Sequence, residues 1–169
     1  VPVAEAVDNA RRLIGAARHP VALVSSWGSN EELESFKRHL GEVFSAHVKR
    51  DWLPEEGERV EDDLLIRPDK NPNTAKAREL FDDSDPAYHD GTDLVLVWGE
   101  GYDFARIPPQ AKIIFLNSYL APENGHADVF LPLSIQTERA GHYTNFQGVV
   151  SRFEPCFPKG EAVLDAEGL

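Results

Sequence analysis

Asp93-Leu-Val-Leu-Val-Trp98, Lys112-Ile-Ile-Phe-Leu116 and Asp128-Val-Phe-Leu131 are three short apolar runs within the stretch 93–131. None alternates apolar with polar residues, so each reads as a strand covered on both faces rather than one with a wet side. The connections between them hold Phe104 to Ile107 and Ser118 to Gly125. Working back toward the N-terminus, Val21-Ala-Leu-Val-Ser-Ser26 reads as another buried strand, and 43–48 and 64–67 as two more. Helices alternate with these strands. Val3, Ala6, Val7, Ala10, Leu13, Ile14 and Ala17 fall at helical spacing with Asp8, Arg11 and Arg12 opposite them, and that helix ends before Pro20. Ser29 followed by Glu32 is a capping box, Leu33, Phe36 and Leu40 form the apolar stripe behind it, and Gly41 is the expected stop. After a turn at 68–72, Asn73 is the expected N-cap of a helix reaching Phe81.

This alternation predicts an α/β fold: an open, mainly parallel sheet with helices on both faces, forming a single domain over 1–169. Ligands of such sheets gather at the carboxyl ends of the strands. Here those ends carry Trp27-Gly28-Ser29, Gly99-Glu100-Gly101 and Asn117-Ser118. Two segments cannot supply core contacts and are expected to be acidic surface loops: 51–63, with seven carboxylates against one arginine, and 82–91.

Composition excludes several classes. A net charge of -12 argues against nucleic-acid or anionic-membrane binding by general electrostatics, which needs clustered Lys and Arg. No apolar run approaches the roughly 20 residues that cross a bilayer, and the start lacks the basic-then-apolar pattern of a signal peptide. The single cysteine, Cys156, excludes an internal disulfide and cannot by itself hold an iron–sulfur cluster, which takes about four thiolates. The chain contains no methionine and begins Val1-Pro2, so it is expected to be a piece of a longer subunit, monomeric by itself.

The stretch His126-Ala-Asp-Val-Phe-Leu-Pro-Leu-Ser-Ile-Gln-Thr-Glu-Arg-Ala-Gly-His-Tyr-Thr-Asn-Phe-Gln-Gly-Val-Val-Ser-Arg152 couples a buried strand to a polar, glycine-marked segment. Proline at 132 removes a ladder donor and is expected to stop the strand. Beyond it, 133–155 reads as an irregular hairpin edge in which Gly141 and Gly148 allow the chain to fold back and present Thr144, Asn145 and Gln147.

This stretch resembles a signature of the molybdopterin oxidoreductase superfamily, which includes the large iron–sulfur subunit of NADH–quinone oxidoreductase. Ala127, Asp128, Leu131, Pro132, Glu138, Gly141, Thr144, Asn145 and Gly148 stand on the pattern, while His142, Gln147 and Val149 occupy its usual threonine, glutamate and arginine. A second block, Leu64-Leu-Ile-Arg-Pro-Asp-Lys-Asn-Pro-Asn-Thr-Ala-Lys-Ala-Arg-Glu-Leu80 followed by Asp93-Leu-Val-Leu-Val-Trp-Gly-Glu-Gly-Tyr102, is similar to the same subunit, with Gly101 in place of the expected asparagine.

The resemblance implies a Rossmann-like domain whose carboxyl edge faces a pterin in the catalytic members. Loss of the charged Glu and Arg implies that no pterin is held here, leaving Gly28, Gly99, Asn117, Glu138, Thr144, Asn145 and Gly148 as a vestigial pterin edge. It implies iron–sulfur clusters elsewhere in the parent chain, neighbouring subunits of the peripheral arm as partners, and a cytoplasmic place beside the inner membrane. Two other readings stay open. One is a catalytic enzyme such as a formate dehydrogenase, holding molybdopterin guanine dinucleotide at the same edge. The other is a non-enzymatic interaction domain, because fold does not fix function.

Other chemistry is weak. Ser25-Ser-Trp-Gly-Ser-Asn30 sits where a phosphate loop would, with one glycine where a dinucleotide fingerprint wants three. Gly99 and Gly101 permit a sharp turn after Trp98, as plain structure or as part of the pterin edge. The histidines at 19, 39, 47, 89, 126 and 142 lack metal-ligand spacing, and Asp82, Asp83, Asp85 and Asp90 lack that of a calcium loop. Glu138 and His142 form a conceivable acid–base pair without a nucleophile motif, and Glu138 is better suited to anchoring its loop through backbone hydrogen bonds.

Overall fold

The computed structural model describes residues 2–49, 69–160 and 163–164; the expected loop 51–63, the strand at 64–67 and the start of the turn after it lie outside the described residues. Five strands, β1 (Pro20–Val24), β2 (Ser45–Val48), β3 (Leu94–Trp98), β4 (Lys112–Asn117) and β5 (Val129–Pro132), form one parallel sheet in the order β2-β1-β3-β4-β5. Every residue of β1 and β3 is buried, which is why their sequences do not alternate.

Successive side chains point to opposite faces and so build two apolar layers. On one face Ala22, Val24, Leu94, Leu96, Trp98, Ile114 and Leu116 pack beneath three helices, α1 (Val3–Ala16), α2 (Asn30–Leu40) and α3 (Thr74–Leu80). On the other, Val21, Leu23, Val95, Val97 and Phe115 pack beneath Tyr102, Phe104 and Ile107. Helical turns therefore lie on both faces but unequally, since the second face carries 3-10 turns such as Phe104–Arg106. Aromatic rings supply the cover there: Phe104 meets Phe115 edge-on at 5.2 Å and stacks on His126 at 5.7 Å.

Both edges of the sheet are stopped by single bridges. Beside β2, the Val48 amide donates to the Asp82 carbonyl at 2.8 Å and the Asp82 amide to the Ala46 carbonyl at 3.2 Å, so the acidic loop at 82–91 starts as sheet edge. Beside β5, the Leu164 amide donates to the Pro132 carbonyl at 2.8 Å and the Ser134 amide to the Leu164 carbonyl at 2.9 Å. Proline at 132 does not end the pairing with β4, because the Leu133 amide reaches the Asn117 carbonyl at 3.0 Å. The missing N–H falls on the side away from β4, where a sheet edge tolerates it.

The capping box forms as its spacing predicts: the Glu32 amide donates to Ser29 Oγ at 3.1 Å and the Ser29 amide to Glu32 Oε2 at 2.7 Å. Gly41 closes α2 with φ +55°. Asn73 stands at the start of α3, yet its side chain makes no capping bond. The hairpin is regular, with β6 (Gly141–Thr144) antiparallel to β7 (Val150–Phe153). It lies against α2 and α3, apart from the main sheet.

Candidate functional site at the carboxyl ends of the strands

The strand order reverses between β1 and β3, and a cavity of about 340 Å³ opens there. All five strands contribute to it from their carboxyl ends: Ser25 after β1, Lys49 after β2, Gly99 after β3, Asn117 at the end of β4, and Ile135 beyond β5. Gln136 and Arg139 close one side, and the exposed rings of Trp27 and Tyr119 line it as well.

Two glycines at this edge of the sheet are fixed by steric needs. Gly99 has φ +85°, and a Cβ there would stand 3.3 Å from Ser25 Oγ, so the chain turns sharply where β3 passes the end of β1. Gly28 lies against the Trp98 indole so closely that a Cβ would come within 2.5 Å of Cη2. Its place in the loop is therefore set by packing on a core ring.

The polar groups are mostly engaged. Lys49, 4% exposed, donates from Nζ to the Glu100 carbonyl at 2.6 Å. Arg139 pairs with Glu32 Oε1 at 2.5 Å, both side chains being nearly buried, and its Nε also donates to the Ile135 carbonyl at 3.3 Å. Glu32 thus divides its carboxylate between the helix cap and Arg139. Asn117 differs: its Oδ1 accepts from the Ser118 amide at 2.9 Å, but its buried Nδ2 has no hydrogen-bond partner among the described residues.

The signature residues of the hairpin are used in its own construction and docking. Glu138 Oε2 accepts from the Ile135 amide at 3.0 Å and anchors the turn, while His142 pairs with Glu31 and not with Glu138. Thr144 donates its amide to Asn73 Oδ1 at 2.9 Å, and its hydroxyl exchanges hydrogen bonds with Asn30 at 3.0 and 3.2 Å. Asn73 is fully buried and its Nδ2 reaches the Gly28 carbonyl at 2.7 Å and Asn30 Oδ1 at 3.0 Å. Asn145 builds the hairpin turn, its Oδ1 accepting from the Gln147 and Val149 amides at 2.9 Å each, and Gly148 completes the turn at φ +78°. These residues were expected to present a ligand edge; Thr144 instead ties the hairpin to α2 and α3 through Asn30 and Asn73, while Glu138 and Asn145 brace their own turns.

Electrostatics support that docking. Partial burial works to raise the Glu31 carboxyl, but hydrogen bonds from the His142 ring at 2.6 Å and amide at 3.0 Å outweigh it and hold the group below its ordinary range. Burial pushes the Tyr143 phenol up to about 12; its ring stacks on Phe153 at 4.5 Å and its hydroxyl donates to the Trp27 carbonyl.

Of the residues expected at this edge, Gly99 and Asn117 line the cavity and Gly28 lies beside it; Lys49 and Arg139 were not among them, and Asn73 was expected only as a cap. A charged residue directly after a buried strand was the available signal for Lys49. Nothing local marks Arg139 as the partner of Glu32, 107 residues away.

A pterin dinucleotide would need donors free to meet its phosphates. Glu138 is a carboxylate without a donor, the Thr144 amide and hydroxyl are bonded to Asn73 and Asn30, and Gln147 and Val149 bring no charge to the turn, so the turn offers such phosphates no cation. Among the described residues no cluster of His, Cys, Asp and Glu could hold a metal ion, and no helix is long and apolar enough to cross a membrane. No protein-family model and no curated protein matches the chain.

Proposed function

We propose that the chain is a structural α/β domain from the large iron–sulfur subunit of an NADH–quinone oxidoreductase, with its pterin edge converted into scaffold. The observation that carries this reading is the structural use of the signature residues: Glu138 anchors the turn before the hairpin, Thr144 ties the hairpin to Asn73, and Asn145 closes the hairpin's own turn. In this reading the domain has no catalysis of its own. It shapes the peripheral arm, packs against neighbouring subunits and the cluster-bearing part of the parent chain, and stays beside the inner membrane through those partners. Electrons pass from NADH toward quinone through clusters that the single Cys156 cannot ligate.

A second reading draws on the strand-end cavity, where the unpartnered Asn117 amide and the cationic Lys49 and Arg139 side chains line space that a ligand would use. It makes the parent a catalytic molybdopterin oxidoreductase such as a formate dehydrogenase. Metal content of the full-length parent subunit separates the two. Iron without molybdenum or tungsten is the expected result, and near-stoichiometric molybdenum or tungsten would overturn the scaffold reading.

A further inference from the structure

A second cavity, of about 370 Å³, lies between α1 and α2 and shares no lining residue with the cavity at the strand ends. Val7 and Ile14 of α1, Phe36 and Leu40 of α2, and Leu96 and Leu131 of the sheet line it. Its size is well above the roughly 150 Å³ at which an apolar cavity already accepts a benzene-sized guest. Pockets of this kind, apolar with a few polar groups, suit small organic ligands.

The polar lining is unusual for this chain. The sequence carries 29 acidic residues against 17 Lys and Arg. Yet among the described residues the charged or titratable side chains lining the groove are Arg11 and His39, both bases, and no carboxylate lines it. Both are exposed, which places them at the rim rather than the floor; His39 is held by its own helix, its Nδ1 donating to the Ser35 carbonyl at 2.8 Å, which leaves Arg11 as the cation facing a guest's head. Arg11 keeps a 3.5 Å contact with Asp8, with both side chains more than two-thirds exposed, so water screens that pair. A guest with a hydrocarbon tail and an anionic head therefore matches both parts of the groove.

We propose that the groove between α1 and α2 binds a medium-chain monocarboxylate, its tail over Leu96 and Leu131 and its carboxylate at Arg11. This stands independently of the scaffold reading. Gly15 offers the decisive variant, because a Cβ added there meets nothing within 4 Å. Gly15 lines the groove, so Gly15→Phe sets a bulky ring at its wall, and Gly15→Ala controls for the change in helix propensity.

The test is calorimetric titration of the whole chain with hexanoate, octanoate, decanoate and decanol, below their aggregation limits. Each added methylene should tighten carboxylate binding about fourfold until the groove is filled. Gly15→Phe should abolish binding while Gly15→Ala retains it. Arg11→Gln, on an exposed position, should weaken decanoate about two- to fivefold and leave decanol unchanged. Equal binding by Gly15→Phe, no dependence on chain length, or decanoate indifferent to Arg11→Gln would each overturn the proposal. So would a dimer that forms without ligand and is dissolved by Gly15→Phe, which would make a second copy the occupant.

Discussion

At Gly28 the loop after β1 touches the Trp98 indole, which itself stacks on Phe36 of α2 at 4.5 Å. Gly28→Ala forces the ring or the loop to move, so it should cost about 1–3 kcal/mol, read as a lower midpoint of chemical unfolding. Arg139 poses a charge problem instead. Arg139→Met leaves the Glu32 carboxylate, 3% exposed, without its cation, and should destabilise the fold by about 3–5 kcal/mol. Adding Glu32→Gln should recover part of that loss; a double variant no more stable than Arg139→Met would show that the pair is not the cause. Half of this site was legible from sequence. Ser29 and Glu32 face each other across one helical turn, so spacing alone predicts their bonds. The partner of the remaining carboxylate oxygen depends on where a distant turn docks, and spacing holds no information about that.

The hairpin shows the same division at the level of an element. Its two strands and its turn at Asn145 to Gly148 follow from local chemistry, but its attachment does not. No residue of β6 or β7 belongs to either apolar layer, and the contacts with α2 and α3 are polar: Glu31 with His142, Asn73 and Asn30 with Thr144. Elements held this way open more readily than core strands. The amides of Tyr143 and Ser151 should accordingly exchange with deuterium faster than those of Val95 and Ile114, and equal protection would contradict polar docking. The Glu31 carboxyl adds a pH dependence. Its folded pKa lies below the ordinary 4.5, so its contribution to stability is present above that value and is lost as pH falls through the folded pKa. Glu31→Gln should therefore flatten the acid limb of stability below about pH 4.5. Unfolding midpoints across that range would check it.

Over the whole molecule, a net charge of -12 disfavours self-association, and the bridges at Asp82 and Leu164 stop both edges of the five-stranded sheet. Sedimentation of the ligand-free chain should therefore give a monomer, and a concentration-dependent dimer would contradict that account. By itself the sequence determined the class of fold. Apolar runs without alternation must be strands covered on both faces, and the capped helical stretches between them must supply cover, because both patterns express local periodicity and burial. Only the tertiary structure decided the strand order, the unequal cover of the two faces, and the docking of the hairpin through Thr144. Each of these depends on which surfaces meet across long separations in the chain, as when Thr144 finds Asn73, 71 residues away. Packing selects such partners, and no short-range pattern encodes them.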